Sequence, residues 1–206
     1  LWTNWGIGTV GPDECFYFAV GRHQTRDGNV YILRYDPERK VQRVVVDAAR
    51  MLGWRHGDFI DGKIHGELRI CPDGLMAAAT YWSVPPEDPA DWRQYRGGKL
   101  FTYNIYTGDF RNLGVPFVGD SYPYFGFDTR RGIFVGIGHY YNFVACDINA
   151  ERTLYAGKPP GGMVWSNCNA LLDPDTGLWY ATEQSTRETT NDLHLMEYDP
   201  VSNRFR

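Results

Sequence analysis

The chain has 206 residues, of which 43% are hydrophobic and 22% charged, so it is long enough and apolar enough to bury a core. Its formal net charge of -4 argues against nucleic acid as the main partner, because phosphate binding needs a basic patch and none stands out. No apolar run approaches the roughly 20 residues of a membrane-spanning helix.

Four similar units follow one another along the chain. Each opens with a turn containing Asp or Gly and an apolar strand: "GPDECFYFAVG", "CPDGLMAAATYW", "DTRRGIFVGIGHYY" and "DPDTGLWYATEQ". Each continues with a strand that ends in Tyr-Asp or a close variant and then a tight hairpin: "YILRYDPERKVQRVVV", "LFTYNIYTGDFRNL", "NFVACDINAERTL" and "LHLMEYDPVSNRFR". Helical periodicity is nearly absent, and only "DAARMLGW" at 47–54 predicts a turn or two of helix.

Antiparallel units of this length, each with four strands, are typical of a β-propeller. A β-sandwich, the competing fold, would not repeat the same sequence pattern of turn, apolar strand and Tyr-Asp hairpin four times. We therefore predict an all-β protein, a β-propeller with four four-stranded blades in one domain over 1–206. The predicted blades cover approximately 1–60, 61–118, 119–162 and 163–206.

The sequence predicts only part of a ring. Propellers close with about four to eight blades, and aromatic-rich strands with inserts favour the larger rings, so we expect a fragment of a ring of about seven blades. The chain begins at Leu1 without Met and stops at Arg206 directly after a strand-like segment, which also favours a piece of a longer protein.

A Pro-rich insert, "SVPPEDPADWRQYRGG" at 83–98, lies between the second and third strands of the second unit. A loop of this size is usually either functional or disordered, and capping of a surface cleft is one of the two open interpretations.

The four cysteines lack the spacing of a zinc site, and we expect them to be buried free thiols, with disulfides left open: Cys15, Cys71, Cys146 and Cys168. A P-loop motif is also absent from the sequence, and we predict neither a cofactor nor a metal site.

The repeated hairpins predict two rings of side chains on one face. The first strands of a propeller line its central channel, and their starts carry His65, Tyr122, Tyr124 and Asn167. The second strands end on the same face, and their ends carry Arg22, His23, Tyr81, Trp82, His139, Tyr140, Glu183 and Gln184. Each residue alone also has a structural explanation, but polar and aromatic groups that converge on a concave surface indicate a binding site.

Two stretches resemble a known family. "KIHGELRICPDGLMAAATYW" and "YPYFGFDTRRGIFVGIGHYY" resemble the β-propeller polysaccharide lyases, especially the ulvan lyases, and related uncharacterised bacterial propellers. The resemblance implies β-elimination at a uronic acid, with Tyr and His for proton transfer, and with Arg and a further His to neutralise the carboxylate. It matches His65 to the first-strand His and either Tyr122 or Tyr124 to the catalytic Tyr. Tyr81 stands where another His is expected, and His139 or Tyr140 where an Arg is expected.

On this basis we predict a polysaccharide-lyase-like protein that accommodates an anionic polysaccharide or oligosaccharide, in an extracellular or periplasmic location. The predicted catalytic residues are His65, Tyr122, Tyr124 and His139. The predicted substrate-binding residues are Arg22, Tyr81, Trp82, Tyr140, Trp165, Asn167 and Glu183. The rival hypothesis is a non-catalytic propeller that serves as a binding or interaction scaffold. A Tyr hydroxyl and a His ring within proton-transfer reach of one point would favour the enzyme.

Overall fold

A computed structural model describes residues 2–22, 24–26, 28–55, 57–183 and 194–206. Antiparallel sheets account for most of the described structure, and no helix in these ranges is long and apolar enough to span a membrane.

The first sheet has an innermost strand that is broken into two pieces. Its strands are β1 (Trp2–Thr3), β2 (Thr9–Val10), β3 (Phe16–Arg22), β4 (Val30–Asp36) and β5 (Val41–Asp47). Both β1 and β2 pair with β3, which is followed outward by β4 and β5, so the sheet is four strands wide. A single turn of helix, α1 (Ala48–Met51), follows β5. This matches the short helix that the sequence predicts.

The second unit is interrupted in the same way. Its elements are β6 (Asp61–Lys63), β7 (Leu75–Ala79), β8 (Tyr81–Trp82), α2 (Pro89–Gln94), β9 (Leu100–Asn104) and β10 (Phe110–Gly114). The strands β7, β9 and β10 form one sheet, and β6 pairs with β8 alone. Only Thr80 separates β7 from β8, so together they occupy the position of a blade's second strand. The insert contains α2.

The third and fourth units are four-stranded sheets in chain order. The third contains β11 (Tyr124–Asp128), β12 (Ile133–Ile137), β13 (Phe143–Asp147) and β14 (Arg152–Gly157). A short 3-10 turn at Pro160–Gly162 leads to the fourth, which contains β15 (Leu171–Leu172), β16 (Trp179–Thr182), β17 (Leu195–Asp199) and β18 (Arg204–Phe205).

The recurring Tyr-Asp phrase has a structural cause at the end of each third strand. The Asp36 carboxylate accepts hydrogen bonds from the backbone N–H groups of Glu38 and Arg39, and so closes the turn that follows. The same type of bond to a backbone N–H is made at the equivalent positions Asn104, Asp147 and Asp199. Asp and Asn are favoured in such turns because their short side chains can accept these bonds.

Inner strands of successive units lie side by side, which arranges the sheets around a common centre. Ile7 and Glu67 form a parallel bridge, and the Glu67 N–H donates to the carbonyl of Phe125 at 3.0 Å. One buried apolar cluster joins the first three units, and a second joins the third and fourth. The predicted all-β blade architecture is therefore confirmed, with irregular inner strands in the first two units.

The cysteine prediction agrees with the structure at three positions. Cys15, Cys71 and Cys146 are buried free thiols, whereas Cys168 is free but exposed. Cys168 follows the bridge at Trp165 and precedes β15, where the inner strand of the fourth unit is irregular.

Candidate functional site

The residues that converge come from the inner strands of the first two units and from the ends of two second strands. Lys63 ends β6 and lies opposite Tyr81 of β8 in the antiparallel register. The Lys63 ammonium lies 4.7 Å from the centre of the Tyr81 ring and 5.6 Å from that of Trp5. The rings of His65 and His139 lie 5.7 and 6.1 Å from the Tyr81 ring. We call Trp5, Lys63, His65, Tyr81 and His139 the inner cluster.

Lys63 is a buried cation that has no acidic partner among the described residues. Only 8% of the residue is exposed, and no carboxylate of the described residues lies within ion-pair distance of its ammonium. Loss of hydration lowers the pKa of Lys63 to about 8, so the ammonium is still mostly charged at neutral pH. The faces of Trp5 and Tyr81 attract this charge but do not neutralise it. An anionic ligand would supply the missing partner.

His65 is held in one tautomer. Its Nδ1 lies 2.6 Å from the carbonyl oxygen of Pro123, and a carbonyl only accepts, so Nδ1 carries the proton. The other ring nitrogen, Nε2, therefore keeps a free lone pair in the neutral ring. Burial lowers the pKa of His65, and the nearby Lys63 charge lowers it further. His65 is thus neutral at pH 7 and able to accept a proton at Nε2.

Tyr81 and His139 form a hydrogen-bonded pair between two units. The two residues occupy equivalent positions, 58 residues apart, and the Tyr81 hydroxyl lies 3.0 Å from Nδ1 of His139. Burial raises the pKa of Tyr81 and lowers the pKa of His139. The hydroxyl is therefore protonated and the imidazole neutral at pH 7, which makes the hydroxyl the donor and Nδ1 the acceptor.

A buried carboxylate fixes the turn that carries His139. Asp120 accepts hydrogen bonds from the backbone N–H of Tyr140 at 3.1 Å and from the Asn142 amide at 2.7 Å. A side chain at Gly138 would lie 2.0 Å from this carboxylate, so only glycine fits there. The Asn167 amide donates to the His139 carbonyl at 3.2 Å. Asn167 thus supports the position of His139 from the fourth unit.

An aromatic cluster borders the inner cluster on its outer side. The Trp82 ring lies 5.0 Å from His139 and 5.8 Å from Tyr140. Trp92, from the insert, lies 6.2 Å from the Tyr140 ring. Trp82 is only 1% exposed, whereas Tyr140 is 42% exposed, so Tyr140 is the ring that solvent reaches.

Like Trp82, three further aromatic residues of the predicted site lie in the core. Tyr122 is fully buried, and its hydroxyl has no hydrogen-bond partner among the described residues. The Tyr124 hydroxyl donates to the carbonyl of Ala170 at 2.7 Å, which engages it away from the inner cluster. Trp165 is also fully buried and packs on Phe143, so its ring is not available to a substrate.

The remaining predicted residues lie outside the inner cluster or outside the described residues. The Glu183 carboxylate is 2.9 Å from Nδ1 of His194 in the fourth unit. Arg22 ends β3 opposite Trp2, and its carbonyl accepts a hydrogen bond from Ser83. His23 and Gln184 lie outside the described residues.

Sequence reasoning did not single out Lys63 and Trp5. The signal for Lys63 was present, because residues two apart on a strand share a face and Lys63 is two positions from His65. Trp5 belongs to the first unit's broken inner strand, where the repeat pattern is weakest. Its ring stacks on that of His65, with 6.0 Å between the ring centres.

Comparison with solved structures identifies the architecture. An oligogalacturonate lyase in complex with manganese superposes with a TM-score of 0.62 at 12% identity, covering 100% of this chain and 53% of that chain. The tricorn protease superposes with a TM-score of 0.52 at 12% identity, covering 97% of this chain and 16% of that chain. The fold is that of a β-propeller.

At 12% identity the likeness shows the fold alone, and this chain spans about half the length of the first of these proteins. Neither protein-family models nor curated protein sequences give a match. Within the described part of the chain, no three His, Cys, Asp or Glu side chains are grouped so as to hold a metal ion.

Proposed function

We propose that the protein is a polysaccharide lyase that cleaves a uronic-acid-containing polysaccharide by β-elimination at the inner cluster. The observation that carries the proposal is the buried Lys63 ammonium, which has no described acidic partner and lies against the hydrogen-bonded Tyr81–His139 pair. An anion site next to proton-transfer groups is what elimination from a uronate requires.

The chemistry explains the requirement. A base removes the proton on C5 of the uronate, the electron pair forms the C4–C5 double bond, and the C4–oxygen bond to the neighbouring sugar breaks. The leaving oxygen takes a proton from an acid. Because the C5 proton is acidic only when the negative charge on the carboxylate is offset, a fixed cation at the carboxylate lowers the barrier.

Each role has a candidate in the inner cluster. Lys63 holds the carboxylate, and Nε2 of His65 takes the C5 proton, since its lone pair is free in the neutral ring. The Tyr81 hydroxyl gives its proton to the leaving oxygen, and His139 orients that hydroxyl through the 3.0 Å hydrogen bond. Exchange with water then returns His65 and Tyr81 to their starting states. Trp5 is 47% exposed, so a bound sugar ring can contact its indole.

This assignment differs from the sequence prediction in three roles. The tyrosine is a different one, Lys63 holds the carboxylate in place of Arg22 and His139, and His139 orients the Tyr81 hydroxyl. Tyr122 and Tyr124 are replaced by Tyr81, because burial and an existing hydrogen bond withdraw the first two from solvent. We also propose an extracellular or periplasmic location, since uronic-acid polysaccharides are components of cell walls and matrices.

The test is incubation of the protein with a panel of uronic-acid polysaccharides, including ulvan and polygalacturonate, while the absorbance of the unsaturated uronate is followed. We expect absorbance to rise with one or more substrates. The rate of this rise should be at least about 100-fold lower in His65→Gln and Tyr81→Phe, since positioned acids and bases contribute about that much or more to the rate. Lys40→Met, at an exposed lysine in the first unit, is the control for Lys63→Met and should keep full activity.

Two results would count against the proposal. Unchanged rates in all three inner-cluster variants would place the chemistry elsewhere. Retained polysaccharide binding in gel retardation, with no absorbance change on any substrate, would favour the non-catalytic binding scaffold.

A further inference from the structure

The insert at 83–98 is anchored to the rest of the molecule. Asp88 caps α2 by accepting hydrogen bonds from the backbone N–H groups of Ala90 and Asp91, at 2.7 and 2.9 Å. The Asp91 carboxylate is buried and forms an ion pair with Arg26 of the first unit. These contacts fix the helix, and with it the position of Trp92.

Trp92 and Tyr140 form a shelf of two aromatic rings. Their centres are 6.2 Å apart at an angle of 38°. The buried Trp82 ring backs both of them, 6.3 Å from Trp92 and 5.8 Å from Tyr140. Trp92 is partly exposed and Tyr140 is exposed, so the shelf keeps apolar surface in contact with water.

The shelf is continuous with the inner cluster. The Tyr140 ring lies 5.2 Å from the ring of His139, the adjacent residue. The Lys158 ammonium donates a hydrogen bond to the Tyr140 carbonyl, which places a positive charge beside the shelf. An anionic chain whose reacting uronate lies at Lys63 would therefore meet a cation and two aromatic rings next to the inner cluster.

We propose that Trp92 and Tyr140 form a subsite that binds the sugar unit next to the reacting uronate, by stacking on its apolar C–H face. The insert is then the element that selects oligosaccharides long enough to reach the shelf. The identity of the ligand rests on the proposed lyase function, but binding at the shelf does not require that cleavage occur.

The experiment compares Trp92→Ala and Trp92→Phe with the unmodified protein on oligosaccharides of increasing length from the cleaved polysaccharide. We expect Trp92→Ala to raise KM about three- to tenfold for long oligosaccharides and to leave KM for the shortest cleaved one unchanged, with kcat kept. Trp92→Phe retains an aromatic face and should recover most of the loss. Trp2→Ala, at an exposed tryptophan that stacks on Tyr31 in the first unit, is the matched control.

The outcomes separate the subsite from the proposed function. If the oligosaccharides are cleaved and Trp92→Ala changes KM equally at every oligosaccharide length, or not at all, the subsite is contradicted but the lyase function is not. If nothing is cleaved, binding is measured instead by affinity electrophoresis in gels that contain the same polysaccharides. If Trp92→Ala is retarded less than the unmodified protein and Trp2→Ala is not, the subsite is supported although the protein is not a lyase. Equal retention of both proteins, or no retention of the unmodified protein, would overturn the subsite.

Discussion

Lys63 is placed where stability alone would favour an apolar side chain. The Lys63 charge is buried with no acidic partner in the described part of the chain, which costs free energy, and its aromatic neighbours recover only part of that cost. Polar groups of this kind are retained where they act on a ligand, and strongly shifted pKa values cluster at such sites. The pKa of about 8 also makes the charge of Lys63 titratable in an accessible pH range.

The pH dependence of kcat/KM follows from two groups of the inner cluster. His65 must be neutral to accept a proton, and burial lowers its pKa from 6.5. Activity should therefore increase as the pH is raised, with a midpoint below pH 6.5. Lys63 must be charged, so activity should fall with a midpoint near pH 8. Initial rates measured across this range should therefore be bell-shaped.

Replacement of Lys63 by arginine identifies the alkaline limb. A guanidinium loses its proton only above about pH 12, so the fall near pH 8 should disappear in Lys63→Arg, whatever the loss in rate. Lys99→Arg is the matched control, because burial also lowers the pKa of Lys99, which lies outside the inner cluster beside Trp54. An alkaline limb that stays in place in Lys63→Arg would contradict the role of Lys63.

Tyr122 distinguishes the site seen in the structure from the one predicted by sequence. Its buried hydroxyl has no partner among the described residues, so Tyr122→Phe should leave the free energy of unfolding unchanged or raise it by up to about 1 kcal/mol. Cleavage should also be unaffected, in contrast to Tyr81→Phe. Thermal unfolding and the absorbance assay check both, and an inactive but folded Tyr122→Phe would restore the predicted role.

At the scale of the element, the blades were predictable because each carries its own local signal. The Asp or Asn at the end of the third strand and, in the last three units, the glycine of the first hairpin are both favoured by turn geometry. Gly74, Gly132 and Gly177 all have positive φ. The broken inner strands of the first two units were not predictable, since their residues bond partly to neighbouring units.

The site was only partly predictable because side chains alternate between the two faces of a strand. A shift of one residue moves a side chain to the opposite face. Pro123 is the residue equivalent to His65, 58 positions further on, so the adjacent Tyr122 and Tyr124 face the core. At the second-strand ends, Tyr81 and His139 could be aligned from their shared distance to the turn glycines, and the structure brings them together.

The turn at the end of β4 tests whether the Asp that ends the third strand stabilises the following hairpin turn. Asp36→Ala removes the acceptor for two backbone N–H groups and should lower the free energy of unfolding by about 1–2 kcal/mol. Asp36→Asn retains the accepting oxygen and should lose much less. Urea unfolding measures both, and equal losses in the two variants would show that the cap is not the cause.

At the scale of the whole molecule, blades can approach closely because glycine lines their contacts. A Cβ at Gly21 in the first unit would lie 2.0 Å from the backbone carbonyl oxygen of Gly62 in the second. Gly62 precedes Lys63, so the same contact positions both the sheets and the inner cluster.

Gly21→Ala should therefore be costly for folding. Neither backbone can move without shifting its sheet, and we expect a loss of about 1–3 kcal/mol in the free energy of unfolding. Val41→Ala, at an exposed strand position in the same unit, should change it by less than about 0.5 kcal/mol. Urea unfolding of both variants is the measurement, and equal stabilities would mean that the two units are less closely coupled than their contact implies.

The most direct test of the central claim is proton NMR of the products formed from a cleaved uronic-acid polysaccharide. We predict that every new non-reducing end carries an olefinic proton on C4. This signal should be lost in Lys63→Met and His65→Gln, whereas Lys40→Met should form it normally. New ends that are saturated, or olefinic ends formed at the normal rate by the inner-cluster variants, would contradict β-elimination at this site.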